Sequence, residues 1–347
     1  MIPKKIQNAV ARIRSIPNSA HKPYLIIFLE ILVWVVSNRG QLNYYLDYEL
    51  FLKGRQPSDY VKSSLFKRIE KELNSPEYFP ILEDKYYFYK ALEGNGFRSP
   101  NNLFLIDQTG IQKMESNRYI SSDEFMQHNF DGFCKAVNGF GGRMIFQVEV
   151  KEKRLFLNKK EISVSDFLHY LGKQRYLIQD RILQHDDMKI LNPSCINTLR
   201  LLTIRTGRTF HYYQGYLRMG INDSYVDNSL SGNIIVGFHR DNGVLMEYAN
   251  THENFSSQTS MGKHPQTKTV FKEYQIPYYK ESIEMVKSLH QLFQQFFMIG
   301  WDIGITPDGP IVIEGNNITT LHAYQVLYGG MKTSFEDLAT EYRKNLS

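Results

Sequence analysis

Asp302, Glu314 and Asn316 fall within one short stretch, Gly300–Asn317, which reads GWDIGITPDGPIVIEGNN. Pro-Asp-Gly-Pro at 307–310 separates two apolar, β-branched runs, the pattern of a β-hairpin. Glu314 and Asn316 are two residues apart and share a strand face, and the hairpin brings Asp302 across from them. Two carboxylates and an amide oxygen in a tight space repel one another unless a cation sits between them. An all-oxygen set suits Mg²⁺ or Mn²⁺, ions that commonly also hold substrate phosphates. The competing reading is an edge hairpin with polar residues facing water, which explains one acidic residue better than three donors at one hairpin mouth.

A second candidate is Cys134-Lys135-Ala136-Val137, a strand end followed by Asn138-Gly139-Phe140-Gly141-Gly142 and a further strand, Arg143–Val150. Glycines there let the backbone fold close over a phosphate and offer its N–H groups, and Lys135 adds positive charge. No GK[ST] follows and the continuation is a strand, so this is not a Walker loop; alone it also reads as a plain turn. Upstream, Asp84-Lys85 opens a helix followed by a strand. Downstream, Tyr176–Ile182 is an apolar strand that turns polar at Gln179-Asp180-Arg181, with Asp186 and Asp187 just after.

The elements that must hold these side chains follow from the surrounding pattern. Residues 1–80 read as helical, with Ser58-Asp59 capping a helix that runs to Asn74. A helix over 82–94 ends at Gly94 or Gly96. From about 103 the chain changes to short apolar strands, at 132–137, 143–150 and 175–182, broken by helices at 122–128 and 164–171. A strand-rich block at 198–248 contains the turn Asp241-Asn242-Gly243. An amphipathic helix at 279–297 leads into the acidic hairpin, and a short helix at 334–345 follows it.

The 347 residues suffice for a large core and one to three lobes. The formal net charge is +5, and the first 29 residues hold Lys4, Lys5, Arg12, Arg14 and Lys22 with no acidic residue. The remainder is balanced, which argues against a nucleic-acid surface. Cys134 and Cys195 make no disulfide framework and fit a reducing cytoplasm. The most apolar run, Tyr24–Val36, contains Glu30 and has 13 residues where a membrane span needs roughly 20. No small-residue cleavage site follows it, and a buried helix is expected. A peripheral membrane contact by the basic arm plus this helix is the alternative.

The order of these pieces resembles the ATP-grasp superfamily: a lysine, a lysine with a glycine loop, an apolar linker with a carboxylate, then Asp…Glu-x-Asn. The spacings of 12 from Asp302 to Glu314 and 2 from Glu314 to Asn316 resemble its metal-binding element. Asn192-Pro193-Ser194-Cys195-Ile196-Asn197-Thr198-Leu199-Arg200, Tyr216–Gly220, Val226-Asp227-Asn228 and Gly232-Asn233-Ile234 resemble the sugar-transfer-associated branch, as do His264-Pro265 and Ile276-Pro277. The likeness covers roughly 80–330. It implies an α+β fold of two α+β lobes with antiparallel sheets clasping ATP, behind an N-terminal helical region. The expected division is 1–80 helical, 81–185 first lobe and 186–347 second lobe. The resemblance implies that Lys85 and Lys135 hold phosphates and that Gly139, Gly141 and Gly142 close over them. It places Gln179, Asp180 and Ile182 at the adenine, and Asp186, or its neighbour Asp187, at the ribose. Asp302, Glu314 and Asn316 become ligands of Mg²⁺ or Mn²⁺. Substrate contacts fall on Asn197, Thr198, Arg200, Arg218, Asp227, Asn228 and His264.

Two departures stand out. Many ATP-grasp ligases carry Arg two residues before the metal Asp, where this chain has Gly300. Arg200 and Arg218, with Lys135, are the candidates to supply that charge; an ion pair at a strand end is the other reading of the arginines. The N-terminal region is helical rather than Rossmann-like and says nothing of the substrate. No HxxH or HExxH spacing surrounds His185, His264 or His290, so no zinc site is expected. Cys195 reads as a small buried hydrophobe and Trp301 as packing. The resemblance implies an ATP- and Mg²⁺-dependent carboxylate–amine ligase working through an acyl phosphate. Its small-molecule substrates would be a sugar acid and an amino acid or amine, in surface polysaccharide synthesis. A kinase acting on a sugar hydroxyl and a non-catalytic nucleotide-binding subunit are the alternatives. The oligomeric state stays open, a homodimer included.

Overall fold

A computed structural model of the chain describes residues 10–139, 144–221, 233–251 and 260–345. Two antiparallel sheets dominate. The first contains β1 (Asn102–Asp107), β2 (Gly110–Lys113), β3 (Arg118–Ile120), β4 (Phe130–Ala136), β5 (Ile145–Lys151), β6 (Arg154–Leu157), β7 (Lys160–Ile162) and β8 (Tyr176–Asp180). Its order is β3-β2-β1-β8-β4-β5-β6-β7, so β8 is inserted between β1 and β4. That central place requires a strand apolar on both faces, and Tyr176 to Gln179 are all buried. The second sheet contains β9 (Thr198–Thr206), β10 (Thr209–Met219), β11 (Ile234–Phe238), β12 (Leu245–Thr251), β13 (Met298–Thr306) and β14 (Gly309–Asn316), ordered β12-β11-β10-β9-β13-β14.

Every residue of β13 is buried, because this strand lies between β9 and β14 and both sheet faces are covered. Trp301, Ile303 and Ile305 join Leu199, Leu201 and Leu217 beneath the helix Tyr279–Leu292. On the other face, Met298, Leu202, Ile204 and Tyr216 pack against Phe66, Ile69 and Leu73 of the helix Ser63–Leu73 and Phe335 and Tyr342 of the helix Lys332–Lys344. Asn74 fixes that contact: its side-chain oxygen accepts from the backbone N–H of Phe297 at 2.8 Å, and its Nδ2 donates to Met298 O at 3.0 Å. The helix Ser63–Leu73 thus shares a core with the second sheet, while the residues before it, from Ile13 to Tyr60, form a cluster of their own.

Three local expectations shift. The helix expected from Ser58-Asp59 begins only at Ser63, because Tyr60 and Lys62 are extended and the Val61 N–H donates to Gln325 Oε1 at 2.6 Å. The helix expected over 82–94 breaks at Asp84, whose carboxylate caps a new helix, Lys85–Gly94, by accepting from Tyr87 N. The helix expected over 279–297 stops at Leu292, and Phe293, Phe296 and Phe297 turn into the core instead.

The apolar helix Tyr24–Ser37 corrects a further expectation. Only Ile27 and Trp34 are buried, and most of its apolar surface faces outward. Among the described residues no helix is long and apolar enough to cross a membrane.

Candidate active site

One face of the second sheet changes character along its strands. Where it faces the N- and C-terminal helices it is apolar; further along it carries Thr198, Arg200, Arg218 and Asp302. Strand register makes this meeting. β13 pairs Asp302 with Arg200 on β9 and with Glu314 on β14, and Gly300 with Asn316. β10 pairs Arg218 with Thr198, two residues before Arg200. Directly opposed residues share a face, so four strands contribute to one patch.

Asp302 is 4% exposed and lies between two guanidinium groups. Arg218 Nη2 is 2.8 Å from its Oδ2, and Arg218 also donates from Nε and Nη2 to Thr198 Oγ1, at 3.0 and 2.7 Å. Arg200 Nε is 2.8 Å from Oδ1 but out of line for a hydrogen bond, so Oδ1 is a buried acceptor with no hydrogen-bond donor among the described residues. Such an acceptor is costly to leave alone and fits a further ligand. Asn316 donates from Nδ2 to Gly300 O at 3.1 Å, so its Oδ1 is the side-chain atom left to accept. Two carboxylates and an amide oxygen on adjoining strands form a donor set of the kind hard divalent cations take. Among the described residues, no group of three or more His, Cys, Asp or Glu side chains gathers as a metal cluster.

Gly300 explains the position of Arg200. A Cβ at residue 300 would lie 3.3 Å from Arg200 Nη1 and 3.1 Å from Thr319 Oγ1. The missing side chain is the space the Arg200 guanidinium enters from the neighbouring strand.

Lys85 links the two lobes. Its backbone N–H donates to Val137 O at 3.1 Å, its Nζ donates to Gly139 O at 2.6 Å, and Nζ lies 3.4 Å from Glu314 Oε1. Lys135 on β4 pairs with Leu177 on β8 and Ile145 on β5, and Phe133, two residues earlier, pairs with Gln179. Gln179 donates from Nε2 to Asn102 Oδ1 at 2.9 Å, while its buried Oε1 has no hydrogen-bond partner among the described residues.

Between these groups runs a cleft of about 440 Å³. It is lined by Lys85, Lys135, Gln179, Asp180, Ile182, Thr198, Arg200, Arg218, Asp302, Glu314 and Asn316. Its lining holds six basic side chains against three carboxylates, an excess suited to a polyanion. Its apolar wall comes from Tyr89, Phe133, Ile145, Ile196 and Ile313, the surface a flat aromatic base requires. Motif spacing does not single out these five. For two of them a signal is present in the sequence: Phe133 shares the Lys135 strand face, and Tyr89 stands one helical turn from Lys85.

Other expected residues lie elsewhere. Asp186 is on the exterior, paired with Lys189 at 2.8 Å, and does not line the cleft; Asp180 does. Asn197 is fully buried and donates from Nδ2 to Met188 O at 2.7 Å and Asn192 O at 3.0 Å. His264 is fully buried; its Nε2–H donates to Gly220 O at 3.0 Å and its Nδ1 accepts from Thr267 N. Burial pulls its pKa down. Both are therefore supports of loop structure rather than cleft-lining groups. Gly141, Gly142, Asp227 and Asn228 lie outside the described residues. Cys195 is nearly buried at the cleft wall, and Trp301 is buried with its indole N–H donating to Thr203 Oγ1 at 2.8 Å.

The family described as sugar-transfer associated ATP-grasp matches residues 64–336. No curated protein matches the sequence. Among solved structures, a D-alanine–D-alanine ligase from Bacillus anthracis is 12% identical, with a TM-score of 0.42 over 77% of this chain and 70% of that one. An N5-carboxyaminoimidazole synthase from Aspergillus clavatus, solved with ADP and 5-aminoimidazole ribonucleotide, is 8% identical with a TM-score of 0.41. That alignment covers 75% of this chain and 52% of the other, so the present chain spans about half that enzyme's length. An ATP-grasp ligase solved with a precursor peptide and AMPPNP is 13% identical, with a TM-score of 0.40 over 81% of this chain and 67% of that one. Likeness this distant says nothing of substrate. The family match spans both sheets, the cleft and the Asp302–Asn316 hairpin, and the chain, with its ATP-grasp fold, belongs to the sugar-transfer associated ATP-grasp family.

Proposed function

We propose that the protein is an ATP- and Mg²⁺-dependent ligase that joins a carboxylate to an amine through an acyl phosphate. The observation that carries this reading is the single cleft in which Lys85, Lys135, Arg200 and Arg218 meet Asp302, Glu314 and Asn316 beside an apolar wall. The wall and Gln179 suit the base, the lysines the inner phosphates, and the arginines the phosphoryl group being transferred. Asp302, Glu314 and Asn316 would hold Mg²⁺, which when bound neutralises phosphate charge.

In this scheme a substrate carboxylate oxygen attacks the γ-phosphorus, the bond to the β-phosphate oxygen breaks, and ADP leaves. An amine then attacks the acyl carbon, the bond to phosphate breaks, and an amide, inorganic phosphate and one proton are released. Arg200 and Arg218 supply fixed positive charge where the transferred group's charge develops, and burial keeps water away from the acyl phosphate. The acid we favour is a sugar or uronic carboxylate and the amine an amino acid, in the making of a surface polysaccharide; the family description supports that choice. Cys134 and Cys195 are buried and form no disulfide, which fits a cytoplasmic setting.

Hydroxylamine trapping tests the reaction, because hydroxylamine replaces the unknown amine. The protein is given MgATP and a panel of sugar acids, nucleotide-linked uronic acids and amino acids, and ADP and hydroxamate are read together. Hydroxamate formed with ADP supports carboxylate activation and names the acid. ADP that depends on one compound and yields no hydroxamate points to a kinase and overturns the reading.

A further inference from the structure

The helix Tyr24–Ser37 presents its apolar side to the outside. Leu25, Phe28, Leu29, Leu32, Val33 and Val36 recur at helical spacing and are 48–85% exposed. They form one continuous stripe. The inward side holds Ile27 and Trp34, which are 3% and 1% exposed. The only charged residue of the helix, Glu30, also turns inward. Its carboxylate lies 2.7 and 2.8 Å from Lys22 Nζ and accepts a hydrogen bond from Tyr45 at 2.7 Å. The outer face therefore carries no charge, an arrangement water does not reward.

Its dimensions limit what can cover it. The 14 residues make a rod about 21 Å long and about 10 Å wide, a footprint on the order of 200 Å². A stable protein interface draws roughly 20–30 residues from each partner, and this stripe offers six, so it alone is too small to hold a second copy. It is also too short to span a bilayer, which needs roughly 20 residues. A helix that can neither span nor dimerise, yet exposes a full apolar stripe, suits the boundary between lipid headgroups and acyl chains. Charge agrees. Exposed Arg14 and Arg39 flank the helix in the chain. Cations beside an apolar stripe complement an anionic lipid surface.

We infer that Tyr24–Ser37 lies in the plane of an anionic phospholipid bilayer, its stripe submerged and the globular body above it. The body takes the place of the polar face that an isolated interfacial helix needs. The inference does not depend on which reaction the cleft performs.

Flotation of the full chain with vesicles tests it. Equimolar phosphatidylglycerol and phosphatidylcholine should carry the protein up the gradient, and phosphatidylcholine alone should carry much less. Binding to the anionic vesicles should fall as salt rises. Leu29→Glu with Leu32→Glu should lower the bound fraction at least roughly tenfold while leaving the melting temperature unchanged, since both side chains face outward. Val33→Asn with Val36→Gln serves as a second pair if the first folds poorly. Arg14→Gln and Arg39→Gln should each weaken binding roughly fivefold. Wild-type protein that stays at the bottom with anionic vesicles, or glutamate variants that float undiminished, would overturn the inference. So would a dimer in sedimentation velocity that the glutamate pair abolishes while vesicles bind nothing.

Discussion

Arg200 and Asp302 face each other across β9 and β13, with Nε 2.8 Å from Oδ1 and no aligned hydrogen bond between those two atoms. The pair is attracted but not closed. Arg218 secures the other carboxylate oxygen at 2.8 Å, so the aspartate is held in place while one oxygen keeps capacity for another partner. On the function proposed, that partner is Mg²⁺, and the arginine beside it meets the transferred phosphoryl group.

Replacing Asp302 by Asn keeps the shape and removes the charge. ADP release with MgATP and substrate should fall at least about 100-fold, and Glu314→Gln should behave alike. Asp302→Ala should in addition cost about 3–5 kcal/mol of stability, because it leaves two guanidinium groups facing each other without a counter-charge. Coupled ADP assays and thermal melts read the two effects separately. Undiminished turnover in Asp302→Asn removes the metal assignment.

The two arginines should separate by readout. Arg218 is 7% exposed and holds Thr198 as well as Asp302, so Arg218→Lys should lower the melting temperature by several degrees. The hydrogen bond from Arg200 Nη2 to Asp302 Oδ2 is long, at 3.4 Å, so Arg200→Lys should lower kcat with little thermal change. Equal melting temperatures for the two variants refute this division.

Gly300→Ala tests whether the missing side chain makes room for Arg200. The new methyl group must push Arg200 or Thr319 by a few tenths of an ångström, starting from contacts of 3.3 and 3.1 Å. We expect kcat to fall about tenfold with the KM for ATP unchanged, as misplacement of a positioning group does. An unchanged kcat means that Arg200 is not needed where it stands.

Ligand binding should stabilise the fold in a metal-dependent way. At a hundred times Kd, a nonhydrolysable ATP analogue with Mg²⁺ adds about 2.7 kcal/mol to unfolding. Chelating the metal with EDTA should remove most of the resulting shift in melting temperature, and Lys85→Met should reduce it further. A shift insensitive to EDTA argues against the Asp302, Glu314 and Asn316 set.

Glu70 should make stability fall as pH rises. Burial in the helix Ser63–Leu73 pushes its carboxyl up to about 7 from an ordinary 4.5, against a hydrogen bond from the Thr319 backbone and the charge of Lys67. Between those values the folded chain keeps a proton that the unfolded chain has released. The stabilisation is therefore present below pH 4.5 and is lost as pH rises through 7. With Glu70 partly open to solvent the effect amounts to about 1 kcal/mol, on the order of 2 °C in melting temperature. Glu70→Gln should melt higher than wild type at pH 8 and no higher at pH 4, by differential scanning calorimetry.

Local chemistry makes the hairpin legible from the residues alone. A turn of Pro, Asp and Gly between β-branched runs fixes a two-residue period that puts Glu314 and Asn316 on one face, but regular pairing from Thr306 and Gly309 would set Asp302 opposite Ile313, and only the register shift at Asp302 and Ile303 brings it opposite Glu314. Lys135 on a strand running into glycines and Lys85 behind a capping Asp are legible for the same reason, since each depends on neighbours in the chain. Which arginine meets Asp302 is not. Arg200 stands 102 residues earlier and reaches Asp302 only because β9 is the strand laid beside β13, a choice made by the whole sheet. Asp186 shows the converse. Its place after the linker suggests a cleft carboxylate, but it opens a short helix and points to solvent, while Asp180 at the end of β8 lines the cleft. Tyr24–Val36 is ambiguous in principle. A segment apolar on every side carries no period to say which face the body covers. Only the tertiary structure, by burying Ile27, Trp34 and the Glu30 ion pair, decides that Leu25, Phe28, Leu29, Leu32, Val33 and Val36 look outward.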